Sequence, residues 1–391
     1  MKEEKIIDQF NKLLAKFQNY SKIRIKDKHD IQTIPFSEKG HIRYWKIEDC
    51  PIRPFRVYKT SGSTGKSCFL FFSKEAIEKM VTRLVRLLDI IGYEKEKPAL
   101  NMYSYNCLDM PGPLMGEAVS KKGGCLISFG LLKKENISIL KEVVSKAKPR
   151  LLISFPNQLH EIISNLPDNH TIEKCVVAGE ILLKEFKNEI ECKSGIKLYN
   201  MYATTEVAGI AIQKEPDDLY MVLADDGLYI EVMKPDGSTS ETGKGKIVVT
   251  DLFNYSMPII RYIIGDEVEI KRKGKEKYIR VFGRADKYIN IYGEVESKKA
   301  IIECLFKILK HPNFFLVIDK DKNTYEDVIV LNIPKDEPLD EKTIKAEFER
   351  NFSFSIRIRR TRLSVPKTSS GKYRHIVDLR KLHLEDKKLG W

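Results

Sequence analysis

The sequence predicts an α/β protein: a large N-terminal domain with mainly parallel sheet layers and a β-rich subdomain, then a small α+β C-terminal domain. Three changes of texture predict it. From about residue 75 to 215, short apolar runs alternate with helical repeats, the mark of a largely parallel sheet. After Pro216 the runs become alternating and are separated by "PDG", "GKG" and "IGD", as in antiparallel strands joined by tight turns. From about residue 285 a helix, a strand, the polar turn "DKDKNT", the strand "DVIVLNI", a helix and a strand fill the space of one ordinary domain. The expected boundaries are 1–284 for the core, with its β-rich part at about 217–282, and 285–391 for the C-terminal domain.

In order, "MKEEKIIDQFNKLLAKF" carries Ile6, Ile7, Phe10, Leu13, Leu14 and Phe17 at helical spacing. It predicts an amphipathic helix packed on its own domain, not a signal peptide. "FRVYKT" and "CFLFF" read as strands, and "KEAIEKMVTRLVRLLDIIGY" as a helix. "GGCLISFG", "RLLISF", "KCVVAGE" and "GIKLYNMY" read as buried strands, with the helices "LLKKENISILKEVVSKA" and "FPNQLHEIISNL" among them.

The chain has 391 residues, 42% hydrophobic and 31% charged, enough for more than one domain and a sizeable core. Seven cysteines stand singly with no C-x-x-C, which fits a reduced cytoplasmic compartment and no zinc site. The net charge of +13 points to an anionic partner: nucleotide, coenzyme A, an acidic carrier protein or nucleic acid. Lysine is spread throughout, and there is no zinc finger, RRM signature or arginine-rich arm, so nucleic acid is not expected. No apolar run is long enough to span a bilayer.

Five segments carry chemistry. "YKTSGSTGKS" ends like a Walker A loop, but Thr60 stands where that loop needs its first glycine, and a strand follows instead of a helix. A turn of Ser, Thr and Gly with one lysine can still wrap phosphate oxygens, or be a plain surface hairpin. In "YNMYATTEVAG", Thr204, Thr205 and Glu206 end a buried strand, where open α/β sheets bind ligands; a carboxylate there suits Mg²⁺, and a helix N-cap is the alternative. In "PIIRYIIGDEVEI", Asp266 follows Gly265 in what reads as a turn between strands, where a carboxylate can accept from a ribose diol. "GRADKYINIYGEVES" sits at a change of texture and suits a hinge. "VPKTSSGKYRH" places Lys372 in a Ser/Gly loop, a clamp for phosphate or carboxylate or else a solvated tail.

In this order the five segments resemble the core motifs of the adenylate-forming superfamily of acyl- and aryl-coenzyme A ligases, adenylation domains and luciferases, across Thr60 to Arg374. "SMPIIRYIIGD" and the short segment before the phosphate loop resemble the compact phenylacetate–coenzyme A ligase branch. The resemblance implies that Thr60, Ser61, Gly62, Ser63, Thr64, Gly65 and Lys66 hold the β- and γ-phosphates of ATP. It implies that Gly179, Glu180 and Ile181 line adenine opposite Asn200, Met201 and Tyr202. Thr205 would touch the α-phosphate, Glu206 would hold Mg²⁺, and Asp266 and Arg284 would bind ribose. Asp286 falls at the hinge of a mobile C-terminal lid, and Lys372 matches the adenylation lysine.

Two departures stand out: Ser67 replaces a frequent proline, and the hinge segment lacks the apolar run and proline that often follow its second glycine. The second leaves the acceptor open between coenzyme A and a carrier-protein phosphopantetheine. "NMYSYNCLDMPGPLMG" lines the acid pocket by position. Tyr103, Tyr105 and Met110 suit a flat or apolar acid, Asp109 would suit an amine, and core and turn roles stay open for all four. The expectation is an enzyme that activates a small aryl or acyl carboxylic acid as acyl-AMP. An amino-acid-adenylating enzyme and a non-catalytic nucleotide-binding homologue are the alternatives. A homodimer is allowed.

Overall fold

Helix α1 (Glu3–Leu14) forms where the apolar spacing predicts it. The structure is a computed structural model that describes residues 3–60, 68–106, 108–179, 182, 184–284, 288–291, 294–320, 327–362, 364–366 and 373–379. Phe10, Leu13 and Leu14 are fully buried and pack, with Ile25, Ile31 and Ile34, on Tyr229, Leu252 and Ile260 of the β-rich region. The chain divides into two compact units, Met1–Ala285 and Asp286–Trp391.

In the first unit, the one-turn helices α2 (Lys28–Ile31) and α3 (Lys39–Ile42) lead to the antiparallel hairpin β1 (Arg56–Lys59)–β2 (Phe69–Phe72). Helix α4 (Lys74–Ile90) starts at once, its first turn capped by the buried Ser73 hydroxyl, which accepts from the Ala76 N–H. Then come β3 (Ala99–Asn101), α5 (Pro111–Lys121), β4 (Leu126–Ser128), α6 (Ile137–Ala147), β5 (Leu151–Ser154), α7 (Leu159–Asn165), β6 (Lys174–Ala178), α8 (Lys184–Ser194) and β7 (Lys197–Thr204). Strands β4, β3, β5, β6 and β7 lie side by side and parallel. Every residue of β3 and β5 is buried, as parallel strands covered on both faces require.

Strand β8 (Ala208–Ile212) turns back antiparallel on β7. Strands β9 (Met221–Leu223), β10 (Leu228–Met233), β11 (Thr239–Ser240), β12 (Gly243–Asp251), β13 (Tyr262–Lys273) and β14 (Glu276–Arg284) continue outward from it. The β-rich stretch therefore extends the parallel strands into one 12-stranded sheet, ordered β11-β10-β12-β13-β14-β9-β8-β7-β6-β5-β3-β4. Among the described residues no helix is long and apolar enough to cross a membrane.

A half-buried ion cluster ties α2 to this sheet. Glu241 accepts from Lys28 on α2 at 2.6 Å, Lys277 on β14 at 2.9 Å and Arg272 on β13 at 2.9 Å. Burial alone would raise the Glu241 carboxyl, but the Lys28 and Lys277 ammoniums override it and bring it down to about 2. A carboxyl lowered on folding stabilises the protein above its ordinary value near 4.5 and loses that contribution as pH falls towards 2. After allowance for its partial exposure, this is worth about 2 kcal/mol. Acid unfolding followed by tryptophan fluorescence is expected to show Glu241→Gln less stable than the parent at neutral pH and to show the two converging by pH 2.

The second unit starts with the antiparallel hairpin β15 (Tyr288–Ile291)–β16 (Glu294–Ser297) and α9 (Lys298–Leu309). Then follow β17 (Phe315–Lys320), β18 (Asp327–Pro334), α10 (Glu341–Glu349), β19 (Arg357–Thr361) and β20 (Ile376–Asp378), with sheet order β19-β18-β17-β20. Leu316, Ile318, Ile329, Leu331 and Phe348 are buried in it.

Candidate active site

The hairpin β1–β2 closes the base of the predicted phosphate loop. The Thr60 N–H donates to the Cys68 carbonyl at 2.9 Å, and the Thr60 hydroxyl accepts from the Cys68 N–H at 3.0 Å. Thr60 is buried, so its Oγ is spent on shaping the loop mouth. Ser61, Gly62, Ser63, Thr64, Gly65 and Lys66 lie outside the described residues. Burial pushes the Cys68 thiol up; Lys39 opposes this, Glu206 adds to it and Arg43 opposes it.

Glu206 is delivered by the end of β7. Residues 205–207 make a tight turn into β8, so Thr204 and Thr205 start a β-hairpin and not a helix. The hairpin carries an irregularity between Tyr202 and Ala203, and Ala208 takes a left-handed φ of 63°. Glu206 accepts from the Tyr262 hydroxyl at 3.4 Å. The Thr204 hydroxyl is buried with no hydrogen-bond partner among the described residues.

Asp266 corrects one expectation. It does not close a turn between strands but lies inside the long strand β13, opposite Arg284 of β14. Gly265 at φ 92° bends the strand without ending it. The neighbouring pairs Glu267↔Gly283 and Val268↔Val281 leave Phe282 as the extra residue of a bulge, and Gly283 there has φ 98°. Bulges bend a strand and re-aim a side chain, which gives a mid-strand aspartate a distinct direction. The Asp266 carboxylate accepts from the Tyr202 hydroxyl at 2.6 Å. Tyr202 is on β7 and Asp266 on β13, so this bond joins two of the predicted motifs.

The other predicted residues are placed as follows. Gly179 ends β6 at φ 88°, while Glu180 and Ile181 lie outside the described residues. Asn200 and Met201 sit within β7; Met201 is buried, and the Asn200 N–H donates to Gln213 Oε1 at 2.8 Å. The backbone of Arg284 ends β14, but its side chain, Asp286 and Lys372 are outside what is described. Tyr103 is buried with its ring 4.7 Å from Phe155, just past the carboxyl end of β5. Burial pushes its hydroxyl far above the ordinary tyrosine range. Met110 is buried at the start of α5. Tyr105 is exposed; its hydroxyl accepts from Asn101 Nδ2 at 2.9 Å and donates to Ser128 Oγ at 3.2 Å on the edge strand β4.

Among the described residues no group of three or more His, Cys, Asp or Glu forms a metal cage. A single carboxylate such as Glu206 is nonetheless a donor that suits Mg²⁺, which usually keeps water and substrate phosphate oxygens as its other ligands. Two residues given no role by the motif reading contact the candidate site residues. Tyr262, the tyrosine of "SMPIIRYIIGD", donates to Glu206. Arg83, fully buried on α4, donates to the Val207 and Gly209 carbonyls of the β7–β8 turn. Its signal is a charge set among Met80, Leu84 and Leu87 on the apolar stripe of a helix.

No protein-family model matches the chain. The phenylacetate-coenzyme A ligase of Thermus thermophilus is 20% identical over 399 aligned positions, which cover 90% of this chain and 88% of that ligase. Cyclosporin synthetase simA of Tolypocladium inflatum is 25% identical over 274 positions, covering 61% of this chain and 2% of that synthetase. Among solved structures, 2-hydroxyisobutyryl-CoA ligase in its postadenylation state with 2-HIB-AMP is similar at a TM-score of 0.78. That likeness covers 99% of this chain and 91% of that one at 15% identity, and it is a likeness of fold. The chain is thus similar in sequence to a phenylacetate-coenzyme A ligase over nearly its whole length, and it shares the fold of 2-hydroxyisobutyryl-CoA ligase.

Proposed function

We propose that the protein is an AMP-forming ligase: it activates a small aryl or acyl carboxylic acid with ATP and passes the acyl group to the thiol of coenzyme A. One observation carries this reading. Tyr202 of β7 donates to Asp266 of β13, and Tyr262 of the same β13 donates to Glu206 at the carboxyl end of β7, so the residues of two predicted motifs are held together.

The chemistry follows from charge. A carboxylate oxygen of the acid attacks the α-phosphorus of ATP, a P–O–C(=O) bond forms, and the bond to pyrophosphate breaks. Both reactants are anions, so cations must offset their repulsion. Lys66 and the other residues of the loop, Ser61 to Gly65, take the β- and γ-phosphates. Thr205 touches the α-phosphate, and Lys372 meets the charge that develops there. Glu206 would hold Mg²⁺, which would supply further neutralisation of that charge.

Asp266 accepts from the ribose diol, oriented by the Tyr202 hydroxyl, and Arg284 joins it. Gly179, Glu180 and Ile181 face Asn200, Met201 and Tyr202 across adenine. Tyr103 and Met110, with Tyr105 at the margin, bound the acid. The 286–391 unit, turning at Asp286, then withdraws Lys372 and admits the thiol, so that one site serves both half-reactions. The thiolate attacks the acyl carbon, and AMP leaves. We place the enzyme in the cytoplasm.

Incubation with a panel of acids, ATP, Mg²⁺ and coenzyme A, analysed by mass spectrometry, tests this. AMP and one acyl-CoA formed together are expected. AMP without acyl-CoA would shift the acceptor to a phosphopantetheine-bearing carrier protein, and turnover confined to amino acids would make this an amino-acid-activating enzyme. ADP as the product would end the reading.

A further inference from the structure

Helix α4 starts directly after β2, the strand that returns from the phosphate loop, and runs beneath the β7–β8 turn that carries Glu206. Ser73, at its start, is fully buried, and its hydroxyl donates to the Phe253 carbonyl at 2.8 Å. Three turns later Arg83 is fully buried. Among the described residues its guanidinium bonds no carboxylate. It donates to three backbone carbonyls instead: that of Val207, that of Gly209 at 3.3 Å and that of Asp226 at 2.6 Å. Burial lowers the affinity of Arg83 for its proton, and Asp251, itself fully buried, opposes that most strongly, with Asp226 and Asp225 behind it.

A buried cation is costly, and its use on main-chain oxygens needs a reason. Val207 and Gly209 lie one and three residues after Glu206. Between them Ala208 is held at φ 63°, a conformation that costs energy for a residue with a side chain. Gly209 is pressed onto α4 so closely that a Cβ there would meet Leu84 at 2.7 Å and Leu87 at 2.8 Å. The second arginine, Arg86, one turn along α4, pairs with the Asp226 side chain at 3.0 Å and so fixes the same neighbouring segment. A planar fork reaches three carbonyls in fixed directions, whereas a lysine ammonium is a single point on a flexible stem.

We propose that Arg83 is a positioning residue for Glu206: it clamps the left-handed turn after the metal-binding carboxylate and ties that turn, through α4, to the strand that returns from the phosphate loop. This rests on the function proposed above. Residues that orient a metal ligand from behind affect metal affinity by roughly 10- to 100-fold when changed. A residue that only stabilises the fold lowers the melting temperature and leaves the metal affinity of the folded protein alone.

The test is ATP binding by calorimetry at stepped Mg²⁺ concentrations, with thermal melts, for the unsubstituted chain, Arg83→Lys and Leu13→Ala. Leu13 is equally buried, on α1, and serves as the destabilised control. In Arg83→Lys the Mg²⁺ concentration for half-maximal ATP binding is expected to rise about tenfold, with KM for the acid unchanged; in Leu13→Ala only the melting temperature is expected to fall. If Arg83→Lys does not fold, Gly209→Ala displaces one of the acceptor carbonyls and is expected to give the same metal shift. A lower melting temperature with an unmoved Mg²⁺ midpoint overturns the proposal and leaves the function standing. If the unsubstituted chain binds ATP without any response to Mg²⁺, the metal role of Glu206 and this inference fall together.

Discussion

Lys372→Ala is expected to reduce acid-dependent ATP–pyrophosphate exchange by a factor of about a hundred to a thousand, the usual loss when one donor to a developing charge is removed, while ATP still binds. The asymmetry comes from where the charge is needed. In the proposed reaction the phosphate loop and Asp266 would hold ATP before reaction, but only the transition state places extra negative charge at the α-phosphorus, where Lys372 would act.

The described residues on either side of Lys372 are tied to each other and to β17. The Arg374 N–H donates to the Pro366 carbonyl at 2.7 Å, closing the loop at its base. Next to it the Leu316 N–H donates to the His375 carbonyl at 2.7 Å, and His375 Nδ1 meets the Phe314 carbonyl at 2.8 Å with its ring 4.8 Å from that of Phe314. Burial lowers the affinity of His375 for a proton, so the anchor stays uncharged. Exchange assays paired with calorimetric ATP titration separate the steps. Equal loss of binding and exchange would mean that Lys372 is misassigned.

Glu206→Gln is expected to have the next largest effect. The amide keeps the shape and can still accept from Tyr262, but it removes the charge that a hard cation needs. The Mg²⁺ concentration that supports half-maximal exchange is expected to rise by about a hundredfold or more, at least the upper end of the range for a residue that only orients a ligand. A metal titration superimposable on that of the parent would refute the role. Because the turn is fixed from α4 by Arg83, the substitution is not expected to disturb the β7–β8 register, and thermal melts should stay close to those of the parent.

What the sequence made legible follows the strength of its local signals. Strands β5, β6 and β7 were readable because each is a short apolar run between polar turns, and α1 and α4 because their apolar residues recur on one face. Strand β3 is only Ala99–Asn101, too short for any period to show. Helix α5 opens with Pro111, Gly112 and Pro113. Pro at a helix start is favourable, but the same letters mark turns, so "MPGPLMG" looked like a lining segment. Helix α8, "KEFKNEIECKS", is nearly all polar, and its apolar face is only Phe186 and Ile190.

At the candidate site, motif order points to Glu206, Asp266 and Thr60. It did not find how they are held, because the holding is tertiary. Gly-Asp signals a turn locally, and only the pairing of β13 with β14 makes it a bent strand. The bond from Tyr202 to Asp266 spans 64 residues, and that from Arg83 to Val207 spans 124. No window along the chain contains both ends of either.

The claim on which the rest depends is that this site joins an acid to AMP and releases pyrophosphate. Exchange of labelled pyrophosphate into ATP, measured over a panel of aryl and acyl acids in the absence of any thiol, tests it most directly. The account predicts exchange that requires one class of acid and Mg²⁺, and that Lys372→Ala suppresses. ATP consumption that yields ADP and phosphate, or exchange indifferent to the acid supplied, would contradict it.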